Sequence, residues 1–216
     1  MRSLVSLIRT VGASMLFVLA AALPATAQRE AQFSAWCYTT GPNRASDAQL
    51  IEGCTAIIAA NRESPEKMFL AYSNRGTAWS MTGDHWRAIG DYSEALKLKP
   101  GDHMVLVSRC HTRAMVGELQ AALADCNESL RILPAVPFVL GMRGLVRLKQ
   151  GRFDDAIADY DAGLKIHAKD AISLYGRGVA KRKKGDVAGG DADIAAAKAI
   201  RADVADVLAK WGVSGP

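Results

Sequence analysis

The residues of this 216-residue chain best able to do chemistry are four cysteines, four histidines and one basic run. Cys37, Cys54, Cys110 and Cys126 include no Cys-x-x-Cys pair, the spacing that a zinc knuckle or a thiol–disulfide exchange site requires. In an oxidising compartment an even count points to two disulfides, for which three connectivities exist. Cys110 and Cys126 lie almost symmetrically about Gly117-Glu118, and Cys37 and Cys54 have a similar separation. The expected bonds are therefore Cys110–Cys126 and Cys37–Cys54. The first would brace a helical hairpin by about 3 kcal/mol in the chain-entropy treatment. The alternative is buried free thiols that behave as small apolar side chains. His85, His103, His111 and His167 show no metal-ligand spacing with one another or with a carboxylate, so neither a metal nor another cofactor is expected.

The basic run Lys181-Arg182-Lys183-Lys184 precedes Gly185 and suits the C-terminal end of a helix dipole. It reads as a solvated helix end, with an acidic partner or an anionic envelope surface as the alternative. Lacking interleaved aromatics, it does not point to nucleic acid. Asn127-Glu128-Ser129 matches a glycosylation sequon but falls inside a predicted helix. There is no Gly-x-Ser-x-Gly, His-Glu-x-x-His, phosphate loop or dinucleotide fingerprint, so no catalytic set emerges and no enzyme is expected.

Positioning elements follow from a repeat. Gly83, Gly117, Gly151 and Gly185 recur at a spacing of 34 residues, as do Arg75, Arg109, Arg143 and Arg177, and Asp91, Asp125, Asp159 and Asp193. Ala88, Ala122 and Ala156 hold the same phase, with Gly190 in the fourth place, and Pro100 and Pro134 close the first two units. Within a unit, Ala71–Met81 and Trp86–Leu98 carry apolar residues at three- and four-residue spacing, which predicts two helices. Thr82-Gly83-Asp84 supplies a helix stop followed by a capping Asp. Gly76 and Ala88, roughly symmetric about that turn, are expected to meet in the antiparallel pair. Each repeat Arg stands 16 residues before a repeat Asp, so the four pairs straddle the four turns alike. An internal ladder of bidentate ion pairs that fixes helix register is the expected role, rather than a row of charges for a ligand.

This pattern resembles the tetratricopeptide repeat (TPR), whose unit runs aromatic, Leu-Gly, aromatic, Ala, aromatic, Pro. The first unit reads Tyr72, Arg75-Gly76, Trp79, Ala88, Tyr92, Pro100; the third reads Leu140, Arg143-Gly144, Arg147, Ala156, Tyr160. The second places Cys110 and Cys126 where its neighbours put a Gly and a large residue, and the fourth carries Leu174, Arg177-Gly178, Gly190 and Ile194. Arg replaces the family's Leu throughout. The resemblance implies an all-α solenoid of about four helical hairpins, at 69–102, 103–136, 137–170 and 171–203. A single hairpin cannot bury its apolar face, so the units must stack and the ends must be capped. A lone helix and loop at 46–68, with Ser46 as N-cap, and a final helix and tail at 204–216, with the stripe Val204, Val207, Leu208 and Trp211, are the expected caps. Residues 28–45 read as an irregular arm.

Arg2 and Arg9, the apolar run Val11–Leu23 and the small residues Ala25-Thr26-Ala27 form an export signal with cleavage expected before Gln28. The apolar run is short against the roughly 20 residues that span a bilayer, so no stable membrane span is expected after cleavage. The formal charge of the full chain is +5, and loss of two arginines leaves a mildly basic protein, expected in the periplasm. Relatives of this kind bind peptides or protein segments on the concave surface of their first helices. That geometry selects Ser73, Asn74, Thr77 and Met81, then Val107, His111 and Met115, then Met142, Leu145 and Leu148, then Tyr175 and Val179. The resemblance thus implies a non-catalytic adaptor with a protein or peptide partner. The alternatives are a structural subunit of an envelope assembly and an accessory subunit of an enzyme, or packing of these residues against the arm or the last helix.

Overall fold

The structure, a computed structural model, describes residues 24–215. The expected signal segment, 1–27, lies outside the described residues except for Pro24–Ala27. All regular structure among the described residues is helical. Ten helices pair into five antiparallel hairpins: α1 (Ala25–Tyr38) with α2 (Asp47–Ala60), α3 (Pro65–Met81) with α4 (His85–Leu98), α5 (His103–Val116) with α6 (Leu119–Ile132), α7 (Pro137–Lys149) with α8 (Phe153–Ile166), and α9 (Ala171–Lys183) with α10 (Val187–Ile200). A short α11 (Val204–Lys210) follows.

Local chemistry starts and stops these helices where the repeat requires. Asp84, Asp102, Asp170 and Asp186 each accept a hydrogen bond from a backbone N–H in the first turn of the helix they precede. Ser46 forms a reciprocal capping box with Gln49, and Ser64 caps a helix that opens on Pro65. The intra-hairpin turns hold Gly83, Gly117, Gly151 and Gly185 at φ of 89°, 86°, 73° and 97°, left-handed backbone that glycine adopts without steric cost. A methyl at Gly151 would meet nothing within 4 Å, so its penalty is conformational. Gly151→Ala should therefore lower stability by about 1 kcal/mol in urea denaturation, with no change in the final structure.

Residues 28–45 are not an irregular arm. They continue α1 through Tyr38 and then make a 3-10 turn at Gly41–Asn43. Residues 25–38 contain neither Gly nor Pro and are rich in alanine, which favours helix. The lone capping helix is accordingly the second half of a fifth hairpin. Cys37 and Cys54 are bonded in it, as Cys110 and Cys126 are in the α5–α6 hairpin, with separations of 17 and 16 residues. Beside that first bond, Trp36 and Gly53 stand where later units place Arg and Asp, packed so closely that a methyl on Gly53 would lie 2.9 Å from Trp36 Cβ. Gly76 likewise packs against the ring of Tyr92 and the Cβ of Asp91.

First helices approach one another closely along the stack, α1 with α3, α3 with α5, α5 with α7 and α7 with α9, whereas the backbones of successive second helices stand farther apart. The first helices therefore line the inner, more tightly curved face of the solenoid, and the second helices the outer one.

An ionic latch repeats in the last four hairpins. Arg75, Arg109, Arg143 and Arg177 each donate through Nε and Nη2 to the Asp of their own hairpin, Asp91, Asp125, Asp159 and Asp193, with donor–acceptor distances of 2.7 to 3.2 Å. Their Nη1 atoms reach back to the second helix of the preceding hairpin: Thr55 at 3.1 Å, Ser93 at 3.0 Å, Asn127 at 3.1 Å and Asp161 at 2.7 Å. One guanidinium thus closes a hairpin and fixes its register on the one before. In the first described hairpin Trp36 and Gly53 take the place of this pair. The inter-hairpin acceptors escape a search for charged pairs, although Ser93, Asn127 and Asp161 keep the repeat spacing. A second cation also serves three of the Asp residues: Arg113 to Asp125 at 2.7 Å, Arg147 to Asp159 at 2.7 Å and Lys181 to Asp193 at 2.9 Å. Burial raises the Asp193 pKa, but hydrogen bonds from Arg177 and Lys181 outweigh it and hold the carboxyl below its ordinary value.

Candidate peptide-binding groove

The inner face divides into an open and an occupied half. In the open half, Met81 is 72 % exposed and Thr77 is exposed, with Ser73 half-buried one turn earlier on α3. Ser73 and Thr77 return their hydroxyl hydrogens to Phe69 O and Ser73 O, each four residues earlier. Asn74 is committed elsewhere, because its amide donates to Cys37 O at 2.8 Å and ties α3 to the end of α1. Of the twelve residues predicted for the groove, Ser73, Thr77 and Met81 therefore form its accessible floor, with Met115 half-buried on the next hairpin.

Toward the C-terminal end, the residues predicted to line an open groove are covered. Val107, Met142, Leu145, Leu148, Tyr175 and Val179 are all buried, in one apolar cluster with Val204, Leu208 and Val213 of the C-terminal segment. The chain after α10 contributes to this cluster. Gly212 adopts φ of 76°, and the N–H groups of Gly212 and Val213 bond to Ala209 O and Leu208 O at 2.9 Å each. These two bonds turn the tail back onto the inner face. Trp211 meets the His111 ring edge-on at 5.0 Å, and Lys149 Nζ donates to Trp211 O at 3.0 Å. The last helix thus does more than cover the open end of the stack.

His111 carries the main electrostatic feature of this face. Burial, with smaller contributions from His85 and Lys149, pushes its pKa from 6.5 down to about 4. The chain with Trp211 seated accommodates neutral imidazole, whereas the released or unfolded chain takes up a proton near pH 6.5. Stability from this site is complete above pH 6.5 and is lost as pH falls towards 4, by up to about 3 kcal/mol. His111→Leu should flatten that pH dependence in denaturant titrations carried out between pH 7 and 4.

Three of the four cations of the basic run are paired: Lys181 bonds Asp193, Arg182 bonds Asp191 and Lys184 bonds Asp154. Among the described residues no group of three His, Cys, Asp or Glu is placed to hold a metal ion. A feature absent from the predicted set is the row Leu70, Met104 and Phe138, exposed by 44, 60 and 58 % at the repeat spacing. It lies near the N-terminal ends of the first helices. Its signal was present in the sequence as one more set of residues at the 34-residue spacing.

Stacked helix pairs, glycines at each turn and an inner face built from first helices define a TPR solenoid. Residues 142–205 match the family model described as Tetratricopeptide repeat, so the third and fourth repeat units carry the family's sequence pattern. Among solved structures it is similar to MamA (41-end) from Desulfovibrio magneticus RS-1, at TM-score 0.68 and 16 % identity over 84 % of this chain and 98 % of that one. It is also similar to a tetratricopeptide repeat protein from Parabacteroides merdae ATCC 43184, at TM-score 0.63 and 20 % identity over 79 % and 74 % of the two chains. These likenesses show the fold. No curated protein matches the sequence.

Proposed function

We propose that the protein is a non-catalytic adaptor of the bacterial envelope that holds an extended or helical segment of a protein partner on its inner face. The observation that carries this reading is the open α3 floor, Ser73, Thr77 and Met81, together with the exposed apolar row Leu70, Met104 and Phe138 on the same set of first helices. Hydroxyls and methionine offer adaptable contacts, and a repeated apolar side chain gives a partner one anchor per hairpin. The leader-like residues 1–27 and two disulfides fit an oxidising, exported setting. No helix among the described residues is long and apolar enough to cross a membrane.

Thr77→Arg with Met81→Glu should reduce partner recovery from crosslinked envelope extract at least tenfold, while substitution of Ala124 on the outer α6 surface should leave recovery unchanged. Equal recovery by both variants would remove the groove from the interaction. The exposed row also favours a second reading, an assembly subunit seated edge-on along Leu70, Met104 and Phe138. In that case Met104→Asp, rather than the Thr77 variant, abolishes recovery of a single stoichiometric partner.

A further inference from the structure

The occupied half of the inner face shows what chemistry that face accepts, because the chain itself supplies the occupant. We propose that residues 204–215 are a tethered occupant of the groove. The same surface then takes, in trans, a partner segment of the same chemistry: a short helix followed by an aromatic residue, a glycine turn and an aliphatic residue. This inference rests on the groove-binding reading and specifies its ligand.

Four features separate this segment from an ordinary end cap. α11 has only seven residues, too few to be stable without the surface beneath it, and its helix contacts are with α9 and α10 alone. The residues after it do the reaching: Trp211 packs on His111 of α5, two hairpins back along the stack. Gly215 runs so close to Tyr175 that a methyl there would strike its hydroxyl. An open depression of about 330 Å³ also lies beside Gly212, Val213 and Ser214, lined by Leu148, Phe153, Val179 and Lys183.

The polar fittings of the surface suit a peptide main chain. Among the described residues Lys149 Nζ meets no carboxylate; it donates to the carbonyls of Ala114 and Trp211, so one side of the ammonium is met by whichever backbone carbonyl lies in the groove. His111 Nε2 is buried without a hydrogen-bond partner, a position that a ligand donor or acceptor can satisfy. A segment carrying acids at the Leu208 or Trp211 positions would place them within the apolar cluster, so the surface selects an uncharged buried face.

Tethering gives the internal segment an effective concentration of about a millimolar, which holds a micromolar external peptide off the intact chain. The test uses a fluorescent synthetic peptide of residues 204–215 and the full chain, read by anisotropy. The wild-type chain should bind it weakly. A full chain with Leu208→Asp and Trp211→Ala in its own tail should bind the wild-type peptide roughly tenfold more tightly or better, and should not bind a peptide with the same two substitutions. Equal binding by the two chains, or no binding by a variant that keeps its helical circular dichroism, overturns the inference. Should the variant lose its helical signal, hydrogen exchange of the wild-type chain decides. Exchange of amides 205–213 by local opening, well ahead of the α7 and α9 core, supports the occupant; exchange only with global unfolding overturns it. Failure here with continued Thr77-dependent partner recovery would discard the tethered occupant and leave the groove reading standing.

Discussion

Replacing Asp159 by alanine should lower the free energy of unfolding by about 3 kcal/mol, a large loss for one surface-proximal carboxylate. Asp159 is 3 % exposed and accepts from Arg143 Nε and Nη2 at 3.0 and 2.7 Å and from Arg147 Nη1 at 2.7 Å. Its removal leaves two guanidinium groups beside a vacated carboxylate site, and unpaired buried charge is the costly outcome, typically about 3–5 kcal/mol. Both arginine side chains retain some exposure, 20 and 18 %, so water can partly serve them and the lower end of that range applies. Asp159→Asn keeps one acceptor oxygen and should cost less. An exposed pair gives the contrast: Asp154, whose side chain is 81 % exposed, bonds Lys184, and Asp154→Asn should change stability by under about 1 kcal/mol. Urea denaturation followed at 222 nm separates the three variants.

Loss of the Cys110–Cys126 bond carries the second large effect. The crosslink spans 16 residues, for which chain entropy predicts about 3 kcal/mol. Both sulfurs are fully buried, so the alanine pair also leaves unfilled space between α5 and α6. The neighbouring hairpins show what fills that space without a disulfide: Gly76 lies against the Tyr92 ring, and Gly144 against the Tyr160 ring. Cys110→Gly with Cys126→Tyr should therefore be more stable than Cys110→Ala with Cys126→Ala, although neither regains the crosslink. Thermal unfolding of the two double variants and of the native chain under reducing and non-reducing conditions checks the order.

Much of this architecture was legible in the sequence because repeat residues serve local tasks. Each turn glycine needs left-handed backbone, each Asp after a turn caps a helix, and each Arg finds an Asp at a fixed distance across its own hairpin. Such requirements recur at a fixed spacing and can be counted. The first hairpin escaped because it meets none of them in the same way. Trp36 and Gly53 replace the ion pair, and the cysteine separation is one residue longer, which breaks the phase. The groove was legible as a helix face but not as a half-filled one. Whether the last helix merely covers the end of the stack or sends its tail along the inner face depends on contacts such as Lys149 with Trp211, 62 residues apart. No local pattern encodes that choice. The inter-hairpin arm of the arginine latch was hidden for a related reason, since its acceptors change from Thr to Ser, Asn and Asp.

The central claim, that a protein segment lies on the inner face of the solenoid, is tested most directly by photocrosslinking inside cells. A benzophenone side chain at Met81 reports on the α3 floor, and one at Ala124 reports on the exposed outer surface. The account predicts a discrete crosslinked product from position 81, with mass spectrometry placing the attachment within one contiguous segment of the partner, and none from position 124. Crosslinks from position 124 alone, or from both positions to the same partner with equal yield, would contradict it.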